Sequence, residues 1–177
     1  ILLPIYTMYL SPAEFGFFYL AMTYVVLLAP MLTIQLEMSI FRHLVDVRRD
    51  PKKQRAIVSN VAEILIGAVA LIVLGAWVLG QFIYIAYLPQ ITLLLVATAV
   101  CNVLMQLARG IGRNKVFAIG STIVAVVTLM MAIVLVVAAD MGVVGVFYAV
   151  VIANVLASMY VAVSCRLWDL LSTGQSD

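Results

Sequence analysis

Apolar residues run along this chain in long blocks separated by short polar breaks, and the blocks fall at about residues 1–10, 12–44, 52–80, 89–109, 115–139 and 142–166. A helix needs roughly 20 apolar residues to cross a bilayer, which five of the six blocks supply. The first is interrupted by Ser11 and Pro12 after ten residues, so it reads as the outer end of a truncated span kinked at Pro4. Ser11-Pro12-Ala13-Glu14 then has the form of a capping box with proline at the first helical position, and it starts the second span. Pro30 lies inside that span and predicts a kink. Asp50-Pro51 starts the third span in the same way, and Pro89 opens the fourth. The loop Gly110 to Lys115 turns the chain into the fifth, Asp140-Met141-Gly142 into the sixth, and Arg166 and Trp168 close it. The expected fold is all-α: a polytopic transmembrane bundle of about six spans, forming a single lobe over residues 1–171 with a polar tail at 172–177.

The charges supply the orientation. Arg42, Arg48, Arg49, Lys52, Lys53 and Arg55 crowd between the second and third spans, Arg109, Arg113 and Lys115 between the fourth and fifth, and Arg166 follows the sixth. An even number of crossings separates these groups, so all ten Lys and Arg fall on one side, the cytoplasmic one by the positive-inside rule. Phe82, Tyr84 and Tyr87 mark the opposite interface. Composition agrees, with 66% hydrophobic and 10% charged residues against roughly 45–50% and 25% in soluble proteins. No basic patch interleaves with aromatics on a soluble domain, so nucleic acid is not an expected partner. Cys101 and Cys165 have no metal-ligand or redox spacing and read as small packing residues. Gly110-Ile111-Gly112 is a tight turn rather than a phosphate loop, since no strand precedes it and no Lys-Ser/Thr pair follows. His43, in the basic loop, reads as an interfacial residue. No cofactor and no metal site is expected.

Polar residues inside the spans carry the candidate chemistry. Glu63 lies eight residues beyond Arg55, roughly 12 Å into the membrane. A carboxylate at the membrane centre costs on the order of 2.5–3.5 kcal/mol, so Glu63 should face the bundle or water and find a partner or a proton. Asn60, Glu63 and Gly67 share one stripe of the third span, and Thr98, Asn102, Gln106 and Arg109 one stripe of the fourth. Gln35, Glu37 and Ser39 add polar groups to the basic end of the second span, and Asn154 with Ser158 to the middle of the sixth. Together the stripes predict a polar interior opening towards the cytoplasm. The competing reading of Asn60, Asn102, Asn154 and Ser158 is interhelical hydrogen bonding, typically about 0.6 kcal/mol each. Arg42 and Arg109 are in positions that more often hold topology anchors than ligand contacts, and Glu37 is close enough to the surface to snorkel.

Three stretches together resemble a known family: LSPAEFGFFYLAMTYVVLLAPMLTIQLEMSIFRHL, LMQLARGIGRNKVFAIGSTI, and the helix opening Met141-Gly142-Val143-Val144-Gly145. They are similar to the N-terminal half of bacterial polysaccharide-biosynthesis flippases of the multidrug/oligosaccharidyl-lipid/polysaccharide exporter superfamily. The resemblance implies a longer protein of two six-helix halves in the bacterial cytoplasmic (inner) membrane, of which this chain is a piece. It implies alternating-access transport of a polyprenyl-diphosphate-linked oligosaccharide, with no bond made or broken and hence no enzyme activity. Expected partners are that lipid-linked oligosaccharide, membrane lipids, and a polysaccharide polymerase with other envelope-synthesis proteins. In such a protein Arg42 and Arg109 would meet the diphosphate, Asn102, Gln106 and Asn154 the sugars, and Glu63 and Glu37 the coupling ion. The rivals are a cation-coupled drug antiporter of the same superfamily, which would favour several deep acids, and a scaffold subunit, which would pack its helices without a polar cavity.

Overall fold

Ser11 and Glu14 close on each other as their spacing predicts, and a helix starts there. In the computed structural model, which describes residues 8–33, 44, 51–84 and 86–165, the Ser11 amide and hydroxyl donate to Glu14 Oε2 at 2.9 and 2.7 Å. The Glu14 amide donates back to Ser11 Oγ at 3.3 Å, so two free ends of the first turn are satisfied reciprocally. Helix α1 runs over Pro12–Leu32 and ends at Thr33, whose hydroxyl donates to the Ala29 carbonyl at 2.9 Å. Pro30 thus sits inside α1, in its last turn. Its expected continuation towards residue 44 lies almost wholly outside the described residues, as do Pro4, His43, Arg48 and the tail.

Four more helices follow: α2 over Pro51–Phe82, α3 over Leu88–Gly110, α4 over Asn114–Ala132, and α5 over Gly142–Ser164. Between α4 and α5 the chain passes through a π-helical segment, Ile133–Ala138. Five helical stretches are long and apolar enough to cross a membrane, and no strand occurs among the described residues. The chain is an all-α, multi-pass membrane protein.

The fifth span departs from the uniform helix expected to residue 139. Its last turns widen, with the Ala139 amide donating five residues back to the Val134 carbonyl at 3.0 Å. Asp140 and Gly142 then take positive φ of 51° and 54° to turn the chain into α5. Gly145, in the first turns of α5, lies against the π segment so closely that a Cβ there would sit 3.0 Å from the Leu135 carbonyl oxygen. Small residues that let backbones approach are the usual device for packing helices in lipid, where no hydrophobic force drives them together.

Helices α3 and α5 form the centre of the bundle. They pack on each other, α4 lies against both, and α1 and α2 lie against α3 on its other flank. Small residues are among their buried positions: Ala97, Ala99 and Ala108 on α3, and Ala149, Ala153 and Ala157 on α5. The core has two parts. At the end away from the cations, Phe18, Val25, Leu94, Val146 and Phe147 pack together, and the Phe147 ring lies 5.4 Å from Phe18 and 6.5 Å from Phe17 and Tyr87. At the basic end, Leu44, Val58, Val103, Leu107 and Val161 form the other. Helix α2 buries Val58, Val61, Ala68 and Ile72, a single helical stripe, with Val58 and Val61 in the basic-end part of the core and Ile72 in the other.

Candidate functional site

Thr98, Asn102, Gln106 and Arg109 follow one another at intervals of three or four, so α3 carries them as one line towards the basic end. The packing above decides what that line faces. It looks into the space between α3, α4 and α5, where a cavity of about 360 Å³ is lined by Cys101, Asn102, Met105 and Gln106 of α3, Phe117, Ser121 and Val124 of α4, and Asn154 of α5. Three residues expected to contact sugars, Asn102, Gln106 and Asn154, therefore meet around one space. It lies beside the basic-end part of the core, within stretches of all three helices that can cross the membrane.

The polar groups are not equivalent. Asn154 is buried and donates through Nδ2 to Thr98 Oγ1 at 3.3 Å, which ties α5 to α3. Part of its role is thus the interhelical bond that a structural reading predicts. Ser158, one turn further along α5, is half-buried, with its hydroxyl oxygen enclosed beside the Cys101 thiol. Ser121 uses its hydroxyl proton on the Phe117 carbonyl at 3.0 Å, leaving its lone pairs to the cavity. Asn102 makes no hydrogen bond among the described residues, so a half-buried amide stands at membrane depth with its donors and acceptor unused. Leaving such a group without a partner in a dry site costs about 1–3 kcal/mol, so it calls for water or a ligand.

Arg109 closes the basic end. Its guanidinium carbon sits 4.9 Å from the centre of the Phe117 ring, and Nη1 donates to Gln106 Oε1 at 3.4 Å. Both partners line the cavity, so the cation is held at its edge rather than left to sweep through solvent. Arg113, at the turn, donates instead to the Ser164 carbonyl at the end of α5. It acts as a clamp on the last turn of that helix, where a cation also complements the carbonyl ends.

The remaining candidates fall elsewhere. Glu63, Asn60 and Gly67 share a stripe as expected, but all three are exposed on the side of α2 opposite Val61 and Ala68. The stripe therefore contributes nothing to this cavity, because the apolar face of α2 is the one that packs. Arg42 and Glu37 lie outside the described residues. Phe117, Ser121 and Val124 were missed by reading the sequence. Their signal was present in the spacing i, i+4, i+7 on α4, one face that begins in the first turn of that helix, but nothing in the sequence said which helix that face would meet.

Neutral amides and a hydroxyl can donate to and accept from a polyhydroxylic molecule, and an arginine at the edge can hold an anion. Among the described residues no carboxylate or imidazole lines the cavity, and no three His, Cys, Asp or Glu side chains converge. Comparison with family models, with curated proteins and with solved structures returned no match.

Proposed function

We propose that the protein is part of a flippase that moves a polyprenyl-diphosphate-linked oligosaccharide across the bacterial cytoplasmic membrane by alternating access, for surface polysaccharide synthesis. The observation that carries this reading is the cavity at membrane depth with the unused Asn102 amide inside it and Arg109 at its edge. A sugar diphosphate cannot enter hydrocarbon, so a protein that moves one must supply hydrogen-bonding groups along the path and a cation where the phosphates enter. At about 360 Å³ the cavity is at the small end of the range of about 300–1,000 Å³ for ligand sites, so it takes part of such a cargo, and a second six-helix half would complete the path.

In this scheme Asn102, Gln106 and Asn154 contact sugar, Arg109 and Arg42 contact the diphosphate, and Glu63 and Glu37 take up the coupling ion. The antiporter reading is less well supported, because a cation path favours acids in the cavity and none of the described residues lining it is an acid. The scaffold reading does not account for a polar cavity between tightly packed helices.

The test is surface polysaccharide made by cells that depend on the complete protein, normalised to its membrane level. Arg109→Ala is expected to cut export sharply, and Arg109→Lys to recover part of it, since an ammonium keeps the charge but lacks the bidentate fork. Glu63→Gln, which removes only the titratable charge, tests the coupling role separately. Wild-type export from Arg109→Ala would overturn the assignment of the cavity to an anionic cargo.

A further inference from the structure

The hydrogen-bonding groups around the polar cavity have directions, and the directions restrict what can enter. Arg109 carries donors alone, so the Gln106 oxygen that accepts from its Nη1 at 3.4 Å must face it, and the two Gln106 Nε2 hydrogens are left to the cavity. Ser121 directs its proton to the Phe117 carbonyl at 3.0 Å and offers the cavity only lone pairs. Asn154 uses Nδ2 on Thr98 Oγ1 at 3.3 Å, which leaves Oδ1 to the cavity. Asn102 keeps both donors and acceptor free among the described residues.

These groups are sorted by depth. At the basic end Phe117 lies against Arg109, and Ser121 is one turn deeper on α4. Asn154 is level with Thr98, which lies two turns deeper on α3 than Gln106. Donors therefore gather at the basic end, on Gln106 and Arg109, and acceptors deeper in, on Ser121 and Asn154, with Asn102 between them. A fitting occupant accepts hydrogen bonds at the basic end and donates them further inside. We infer that the cavity selects an uncharged, hydroxyl-rich sugar over one bearing a carboxylate, and that Ser121 and Asn154 make the choice. This rests on the sugar-diphosphate reading above and adds a direction to it: diphosphate on Gln106 and Arg109, sugar hydroxyls donating to Ser121 and Asn154. A carboxylate only accepts. With the diphosphate on the basic-end donors, a uronic acid finds Asn102 alone to donate to it and faces the lone pairs of Ser121 and Asn154 at membrane depth. Groups left unpaired in this way lower affinity about tenfold or more.

Glucose and glucuronic acid differ only at C6, hydroxymethyl in one and carboxylate in the other, and with C1 on the diphosphate C6 lies towards the deeper end. The probes are a radiolabelled short-chain prenyl diphosphate carrying glucose, the same lipid carrying glucuronic acid, and the sugar-free prenyl diphosphate. Their equilibrium binding to the purified complete protein is measured in lipid nanodiscs. The glucose probe is expected to bind about tenfold more tightly than the glucuronic acid probe. Ser121→Ala removes one of the two deep acceptors and should reduce that ratio to about threefold, whereas Ser121→Thr, which keeps a hydroxyl able to bond back to its own helix, should retain it. Arg109→Ala should weaken all three probes. Equal binding of the two sugars, with both weakened by Arg109→Ala, overturns the selectivity and leaves the cargo reading standing. A ratio unmoved by Ser121→Ala also overturns it, because the choice is then made elsewhere in the complete protein. Binding of no probe, or binding indifferent to Arg109→Ala, overturns the cargo reading and this inference with it.

Discussion

Replacing Gly145 by alanine measures how tightly α5 is pressed against the π-helical segment. The added Cβ would lie 3.0 Å from the Leu135 carbonyl oxygen, 3.1 Å from its carbon and 3.1 Å from Met141 Cβ, where ordinary contact begins nearer 3.4 Å. Two of the three neighbours are backbone, so the strain cannot be relieved by a side chain swinging away. Overpacking of this kind costs about 1–3 kcal/mol. Against it stands the gain from replacing a helical glycine, about 1 kcal/mol. Gly67→Ala shares most of that gain and meets nothing within 4 Å, so the difference between the two variants approximates the steric cost alone. In a protein of this size 1 kcal/mol corresponds to about 2–4 °C, so Gly145→Ala is expected to melt roughly 2–12 °C below Gly67→Ala. Cys101 and Cys165 are each 3% exposed, so a thiol-reactive fluorophore reports unfolding without further modification. Two variants melting within a degree of each other would refute the close approach of α5 to the Leu135 carbonyl.

Two further outcomes follow from the same geometry. Arg113→Ala removes the donor on the Ser164 carbonyl and should cost about 1 kcal/mol, read as faster amide exchange confined to the last turn of α5. The distribution of cations predicts that Cys introduced at Asn114 reacts in sealed cells only with a maleimide delivered to the cytoplasm and Cys at Asp140 only with one applied outside, and labelling of both from one side would overturn the orientation.

The stretches that carried the family resemblance acquire structural reasons of their own. The capping box at Ser11 and the turn at Gly142, about 130 residues apart in sequence, meet, and a Cβ on Gly142 would lie 3.2 Å from Glu14 Oε1. Gly142 therefore answers two demands, a φ of +54° and the carboxylate beside it. Gly110 leaves room for Leu44, whose Cδ1 would lie 2.8 Å from an added Cβ, and Gly120 leaves room for Met105. These contacts explain the motifs as fold determinants whether or not cargo passes nearby.

Reading residues in order was enough to establish the helical class, the cap at Ser11, the start of a helix at Pro51, the spans of α2, α3 and α5 to within a few residues, and the alignment of Thr98, Asn102, Gln106 and Arg109 on one side of α3. All of these depend on local terms: the length of an apolar run, the hydrogen bonds of the first turn, and the 3.6-residue period that puts i, i+4 and i+7 on one face. The rotation of each helix about its own axis is not local. It is set by where small and large side chains of different helices fit, so only the tertiary structure could turn the α3 stripe towards Phe117, Ser121 and Asn154 while turning Glu63 away from that cavity. The π-helical segment belongs to the same class of outcome. Its geometry answers to Gly145 on the next helix, and a period counted along one segment contains no information about the neighbour that will press against it.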